Sequence, residues 1–129
     1  MSGENNIEIL LKNMQAELDA DEYVFLTSDH GFGSEVESSA TMVFKEVEGV
    51  TVITKKKLAQ TLTSGSEPIW AKITLNVHSD LQAVGFLAAM TRELANAGIS
   101  VNAVSAYYHD HLFVPWERRN EALSILQSF

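Results

Sequence analysis

The chain has 129 residues, 9 Lys+Arg against 17 Asp+Glu, and no cysteine, for a formal charge of −8. Without a thiol there is no disulfide framework, thiolate zinc site or cysteine nucleophile, and an acidic chain lacks the basic face that displaces counterions from nucleic-acid phosphates. With 46 % apolar and 20 % charged residues the composition is that of a globular protein.

The acidity is placed at one end. Up to Glu37, Lys12 alone faces nine carboxylates, and beyond it the two signs balance. The opening Met1-Ser2-Gly3-Glu4 carries no basic leader region, and no later run reaches the ~18 uncharged apolar residues needed to span a bilayer. The expectation is a cytoplasmic protein with neither a membrane nor a nucleic acid as partner.

In residues 7–18, Ile7, Leu10, Leu11, Met14 and Leu18 recur at three- and four-residue spacing, which predicts an amphipathic helix ended by Asp19-Ala20-Asp21. Its polar side lacks the basic residues of a membrane-surface helix. Tyr23-Val24-Phe25-Leu26 reads as a buried strand, and polar residues 27–39, with Gly31 and Gly33, as a long loop. Residues 42–47 and 50–54 flank Glu48-Gly49 and suit a hairpin. Residues 55–62 suit a short helix, in which Lys55-Lys56-Lys57 reads as a solvated strand end. Thr63-Ser64-Gly65-Ser66-Glu67-Pro68 is the clearest punctuation, and divides the chain into residues 1–65 and 66–129.

Residues 69–78 alternate strictly, with Ile69, Ala71, Ile73, Leu75 and Val77 on one face, so a strand with one side on a core is expected. Ser79 and Gln82 form a capping-box pattern, and Leu81, Val84, Leu87, Ala88, Thr91, Leu94 and Ala95 trace a stripe that ends at Gly98. Gly85 interrupts it at a cost of ~1 kcal/mol inside a helix, which favours a helix starting near Gly85. Residues 99–107 alternate again, residues 111–114 return after a turn at Tyr108-His109-Asp110, and residues 116–127 form a closing helix with Ala122, Leu123 and Leu126 inward. Trp70 and Trp116 are expected to pack at element ends. Strand, helix, strand, strand, helix with helices on one face of an antiparallel sheet is an α+β, ferredoxin-like arrangement.

Gly85, the run Leu94-Ala95-Asn96-Ala97-Gly98-Ile99, and Ser105 to Pro115 with its Asp110 and terminal Val114-Pro115 together resemble an ACT domain of the aspartokinase and amino-acid-sensor branch. The likeness is good over residues 69–127 and looser over the first half, as in small bacterial proteins with two ACT-like units in tandem. It departs at Val84, where a proline often precedes the glycine, and in lacking a final edge strand, whose place the first half or a second subunit would fill.

The resemblance implies a non-enzymatic sensor of an amino acid or similar small zwitterion, a homodimer, and an enzyme elsewhere that it regulates. The implied ligand-binding residues are Ala83, Val84, Gly85 and Phe86 at the first strand–helix junction, with Asn102, Ser105, Tyr107, His109 and Asp110 on the second and third strands of that half. Backbone N–H groups at a helix start suit a carboxylate, and glycine admits close approach. Asp110 could pair with an ammonium group, while Asn102 and Ser105 offer neutral hydrogen bonds. Equally, Gly85 could serve close helix–sheet packing and Asp110 an Asx-type turn. Two other classes stand beside this: a purely structural dimerisation module, and a metal site on His109 and His111 with His78 as the candidate third ligand. No cofactor is expected. Gly31-Phe32-Gly33 has Val36 where a dinucleotide fingerprint needs its third glycine, and no GxSxG or GxxxxGK[ST] occurs.

Overall fold

The structure is a computed structural model that describes residues 6–77 and 85–129. Packing divides the chain into two compact units, one built from Met1–Ala20 with Ala71–Phe129, the other from Asp21–Trp70.

In the first unit, helix α1 (Ile7–Asn13) is capped by Asn6, whose side-chain oxygen accepts the Ile9 N–H. The helix stops at Met14, where the backbone turns extended, and strand β1 (Gln15–Ser28) begins. The expected helix over residues 7–18 is thus half helix and half strand, and Asp19-Ala20-Asp21 lies within β1. The apolar set is compatible with both periods, because Met14 and Leu18 sit four apart and Met14, Ala16 and Leu18 also alternate. Beside the N-terminal part of β1 stands β4 (Trp70–Asn76), then β6 (Asp110–Pro115) and β5 (Asn102–Ser105). The first half of the chain therefore supplies the strand missing after the last helix. Side chains add to the backbone pairing: Asn76 Nδ2 donates to Glu17 Oε2 at 2.6 Å, and Lys72 Nζ lies 3.5 Å from Asp19 Oδ2.

On one face of this sheet Ala71, Ile73, Leu75, Leu112 and Val114 form a core with Leu10 of α1, with Phe86, Met90 and Leu94 of α3 (Phe86–Asn96), and with Ala122 and Leu126 of α4 (Arg119–Gln127). The alternation expected for residues 69–78 is present in the burial of β4. The α3 stripe is met in part: Leu94 is buried and Leu87 packs against the core as expected, whereas Ala88 and Ala95 are exposed and Phe86 and Met90, outside the expected stripe, are buried. The Ser79–Gln82 capping pattern, Leu81 and Val84 lie outside the described residues. Before α4, Trp116–Arg118 forms a 3₁₀ turn, with the Arg119 guanidinium 3.7 Å over the Trp116 ring. Arg118 donates to Ala97 O at 3.0 Å, which satisfies a carbonyl at the end of α3.

In the second unit β3 (Val50–Lys55) pairs antiparallel with β2 (Met42–Lys45) on one side and with residues 23–28 of β1 on the other. Tyr23, Val24, Val52 and Ile53 are buried, and the Phe25 and Trp70 rings meet at 5.6 Å. The stretch expected as a loop over residues 27–39 holds a six-residue helix, α2 (Ser34–Ser39), none of whose residues is buried. Of the helix expected over residues 55–62 only a 3₁₀ turn at Lys56–Leu58 forms. Lys55 and Lys57 are not simply solvated: both reach the Asp21 carboxylate, at 3.1 and 3.2 Å, and hold its pKa below the usual value.

The two hairpins repeat each other. Met42 pairs with Ile53 and Lys45 with Val50; Asn102 pairs with Phe113 and Ser105 with Asp110, so every pair recurs 60 positions later. Both close alike, with the Glu46 N–H donating to Gly49 O at 2.8 Å and the Ala106 N–H to His109 O at 3.0 Å. The tips are therefore Val47-Glu48 and Tyr107-Tyr108, each one residue earlier than the sequence pattern placed it. Residue identity hides this repeat, but register displays it.

Candidate functional site

The described candidate residues fall into two groups by position. At the β4–α3 junction, Gly85 has φ +88, in the left-handed region where only glycine is at ease, and its carbonyl accepts the first helical bond from the Ala89 N–H at 2.9 Å. Among the described residues nothing comes within 4 Å of where a Cβ would stand. The left-handed backbone is by itself a sufficient reason for the glycine. A glycine also has no side chain with which to cap, so α3 begins with amide N–H groups that lack an intrahelical acceptor. Phe86, by contrast, is 2 % exposed and belongs to the hydrophobic core. Ala83 and Val84 lie outside the described residues.

The other five stand on the β5–β6 hairpin. Asn102 and Ser105 are exposed on β5. The Ser105 hydroxyl donates to Asp110 Oδ1 at 2.6 Å across the pair that closes the turn. Asp110 therefore spans the hairpin rather than making a local turn. Tyr107 and Tyr108 stack edge to face at 5.0 Å and are both about two-thirds exposed, at 68 % and 65 %.

His109 and His111 point the same way, as their spacing predicts, with ring centroids 6.3 Å apart. The Nδ1 of His111 shares a 2.9 Å hydrogen bond with the Thr74 hydroxyl. Burial, with Lys72 and then His109 nearby, pushes the His111 pKa down from its ordinary value against an opposing pull from Asp110. The described residues contain no group of three His, Asp or Glu placed to hold a metal, and His78 lies outside them.

One residue escaped the sequence reading. Glu37, on α2, turns its carboxylate back so that Oε2 accepts the Phe32 N–H at 2.9 Å. It does so beside Gly31, whose φ of +89 matches that of Gly85. The glycine that heads α2, as Gly85 heads α3, is Gly33, also at φ +89. Elsewhere in this second unit, Glu35, Val36, Ser39, Leu58, Thr61 and Leu62 line an open groove, and none of them is a predicted site residue.

Two family profiles, both described as ACT domain, match the chain, one over residues 2–65 and the other over residues 65–128. A solved Vibrio cholerae protein, titled as of unknown function and a possible transport protein, is 42 % identical, with a TM-score of 0.81, over 92 % of this chain and 91 % of that one. The regulatory subunits of aspartate kinase from Thermus flavus and Thermus thermophilus share the fold. Each has a TM-score of 0.64, at 14 % and 18 % identity, with 88 % of this chain and 95 % of theirs covered. No curated protein matches. Among the described residues no helix is long and apolar enough to cross a membrane.

Proposed function

Since this chain belongs to the ACT domain family and carries two such domains in tandem, we propose that it is a non-enzymatic regulatory module that senses an amino acid or a similarly small zwitterion in the cytoplasm. On this reading the repeats divide as residues 1–65 and 66–129, and an enzyme on a separate chain receives the signal. The observation that carries the proposal is the Gly85 junction. A left-handed glycine, with nothing within 4 Å of its Cβ position among the described residues, heads an eleven-residue helix whose first N–H groups suit a ligand carboxylate. The hairpin residues Asn102, Ser105, Tyr107, His109 and Asp110 supply the polar and aromatic remainder, with Asp110 as the partner of the ligand's ammonium group.

The test is calorimetric titration with each of the proteinogenic amino acids, paired with thermal melting. One of them should release or absorb heat and raise the melting temperature. A charge-assisted hydrogen bond is worth about 1.5–3 kcal/mol, so Asp110→Ala should weaken that ligand roughly ten- to hundred-fold while the protein stays folded. Absence of heat and of any melting shift across the whole panel rejects the proposal.

One observation favours a second, compatible reading as a dimerisation module. Among the described residues strand β2 pairs with β3 alone, and it carries Phe44 at 62 % exposure, with Val47 wholly exposed at the hairpin tip. An edge strand with apolar side chains is a template for a second copy. Sedimentation should find a dimer, and Phe44→Glu should convert it to monomer; a wild-type monomer at micromolar concentration rejects this reading.

A further inference from the structure

We infer that the groove between α2 and residues 58–62 binds an aliphatic ammonium ion that carries no carboxylate, with its hydrocarbon part on Val36, Leu58 and Leu62 and its charge at Glu35. The site lies within the second unit and shares no residue with the junction and hairpin assigned above, so it goes beyond the sensor reading.

The groove exists because the first repeat cuts its last helix short. The 60-residue offset of the hairpins continues past them, since the 3₁₀ turn at Lys56–Leu58 answers that at Trp116–Arg118. Both turns close alike, the Ala59 N–H donating to Lys56 O and the Arg119 N–H to Trp116 O. There the repeats part. From Arg119, α4 runs for nine residues and buries Ala122 and Leu126. From Ala59 the chain makes a single turn, in which the Leu62 and Thr63 N–H groups both donate to Ala59 O, at 2.9 and 3.1 Å. Gly65, left-handed at φ +90, follows. Leu62 stands 60 positions before Ala122, yet it is 41 % exposed where Ala122 is wholly buried, and Leu58 is 52 % exposed. Apolar side chains that a second helix would cover are left facing an open groove of about 430 Å³, a volume within the range of small-ligand sites.

The polar groups of the lining select the charge. The Ser39 hydroxyl is engaged with Val36 O at 3.1 Å. The other carboxylate of α2, that of Glu37, is turned to the Phe32 N–H. The Glu35 carboxylate and the Thr61 hydroxyl line the groove without a hydrogen-bond or ion-pair partner among the described residues. No lysine, arginine or histidine lines it. An ammonium group meets a carboxylate there, with a hydroxyl as a second acceptor. A ligand carboxylate would meet only like charge, and this excludes amino acids from the groove as firmly as it admits simple amines.

The test is methyl and amide NMR on the full-length protein at constant ionic strength, with n-hexylammonium, 1-hexanol, hexanoate and leucine as probes. Hexylammonium at millimolar concentration should shift the Val36, Leu58 and Leu62 methyl signals along a saturating curve. Hexanol should do so more weakly, and hexanoate and leucine should leave these signals in place. Glu35→Gln, a change at an exposed position, should weaken hexylammonium about two- to fivefold, the range of an exposed ion pair, and leave hexanol unchanged. Leu62→Ser should weaken hexylammonium and hexanol alike. No saturable shift with hexylammonium overturns the inference, as do equal shifts with hexanoate and unchanged hexylammonium binding in Glu35→Gln. An amino acid that binds as proposed above moves the Gly85 and Phe86 amides and not these methyl groups, so either reading can fail while the other stands.

Discussion

Phe86 adjoins the proposed ligand glycine, yet its side chain is 2 % exposed inside the core of the first unit. Phe86→Ala should therefore cost stability first. Truncating a buried phenylalanine costs about 3–5 kcal/mol, the lost transfer energy plus the cavity left among unmoved neighbours. Here those neighbours are rigidly held, with Met90 and Leu94 one and two turns along α3 and the buried face of β4 in the same cluster. At ~2.1 cal/mol/K per residue, a chain of this length unfolds with an entropy of about 0.27 kcal/mol/K near its midpoint. The loss then corresponds to a fall in Tm of roughly 11–18 °C. Asn102→Ala is the internal control. It is an exposed change on β5, with an expected effect within about 0.5 kcal/mol. Urea unfolding followed by circular dichroism measures both. A loss below about 1 kcal/mol for Phe86→Ala would refute the placement of this ring in the core.

Two more predictions follow from the same geometry. A Cβ at Gly49 would stand 2.6 Å from the Ser28 carbonyl oxygen, a backbone atom that cannot step aside. Gly49→Ala should therefore cost about 1–3 kcal/mol and lower Tm by roughly 4–11 °C; an unchanged Tm contradicts the hairpin's position against Ser28. For His111, burial and its cationic neighbours favour the neutral ring in the folded state, so the unfolded chain takes up its proton first as pH falls. Its contribution to stability is complete above the ordinary histidine value of 6.5 and is lost progressively below it. Urea midpoints measured across that range should show the decline, and His111→Gln should flatten it; an identical slope in the variant removes His111 as the cause.

Much of the C-terminal half was legible in the sequence because its elements are short and bounded by strong signals. Strict alternation marks β4, Gly98 ends α3, and Pro115 ends β6. The first half misled where two periods coincide. Met14 and Leu18 satisfy a helix and a strand equally, and it is the pairing of β1 with β4, with Glu17 bonded to Asn76 and Asp19 near Lys72, that goes with the strand. α2 was hidden because Ser34-Glu35-Val36-Glu37-Ser38-Ser39 carries one apolar residue and so shows no periodicity. At the candidate site, residue type and turn position were readable, since the Gly85 backbone and the β5–β6 pairing follow from local chemistry. Which groups are already engaged was not: the Ser105–Asp110 bond, the Thr74–His111 bond and the Glu37 carboxylate on Phe32 depend on register or on a rotamer, which no local pattern specifies.

The core beneath α1 is assembled from two stretches of chain with the whole Asp21–Trp70 unit between them. During synthesis, Leu10 and its helix must wait, apolar side outward, until Leu126 has been made, which at ~5–20 residues per second is a delay of several seconds to tens of seconds. The same interleaving sets the terms for taking the protein apart. A cut between the two family profiles, near residue 65, would strip the C-terminal fragment of α1 and of the strand beside β4. The halves that heredity joined end to end are expected to fold only as one polypeptide.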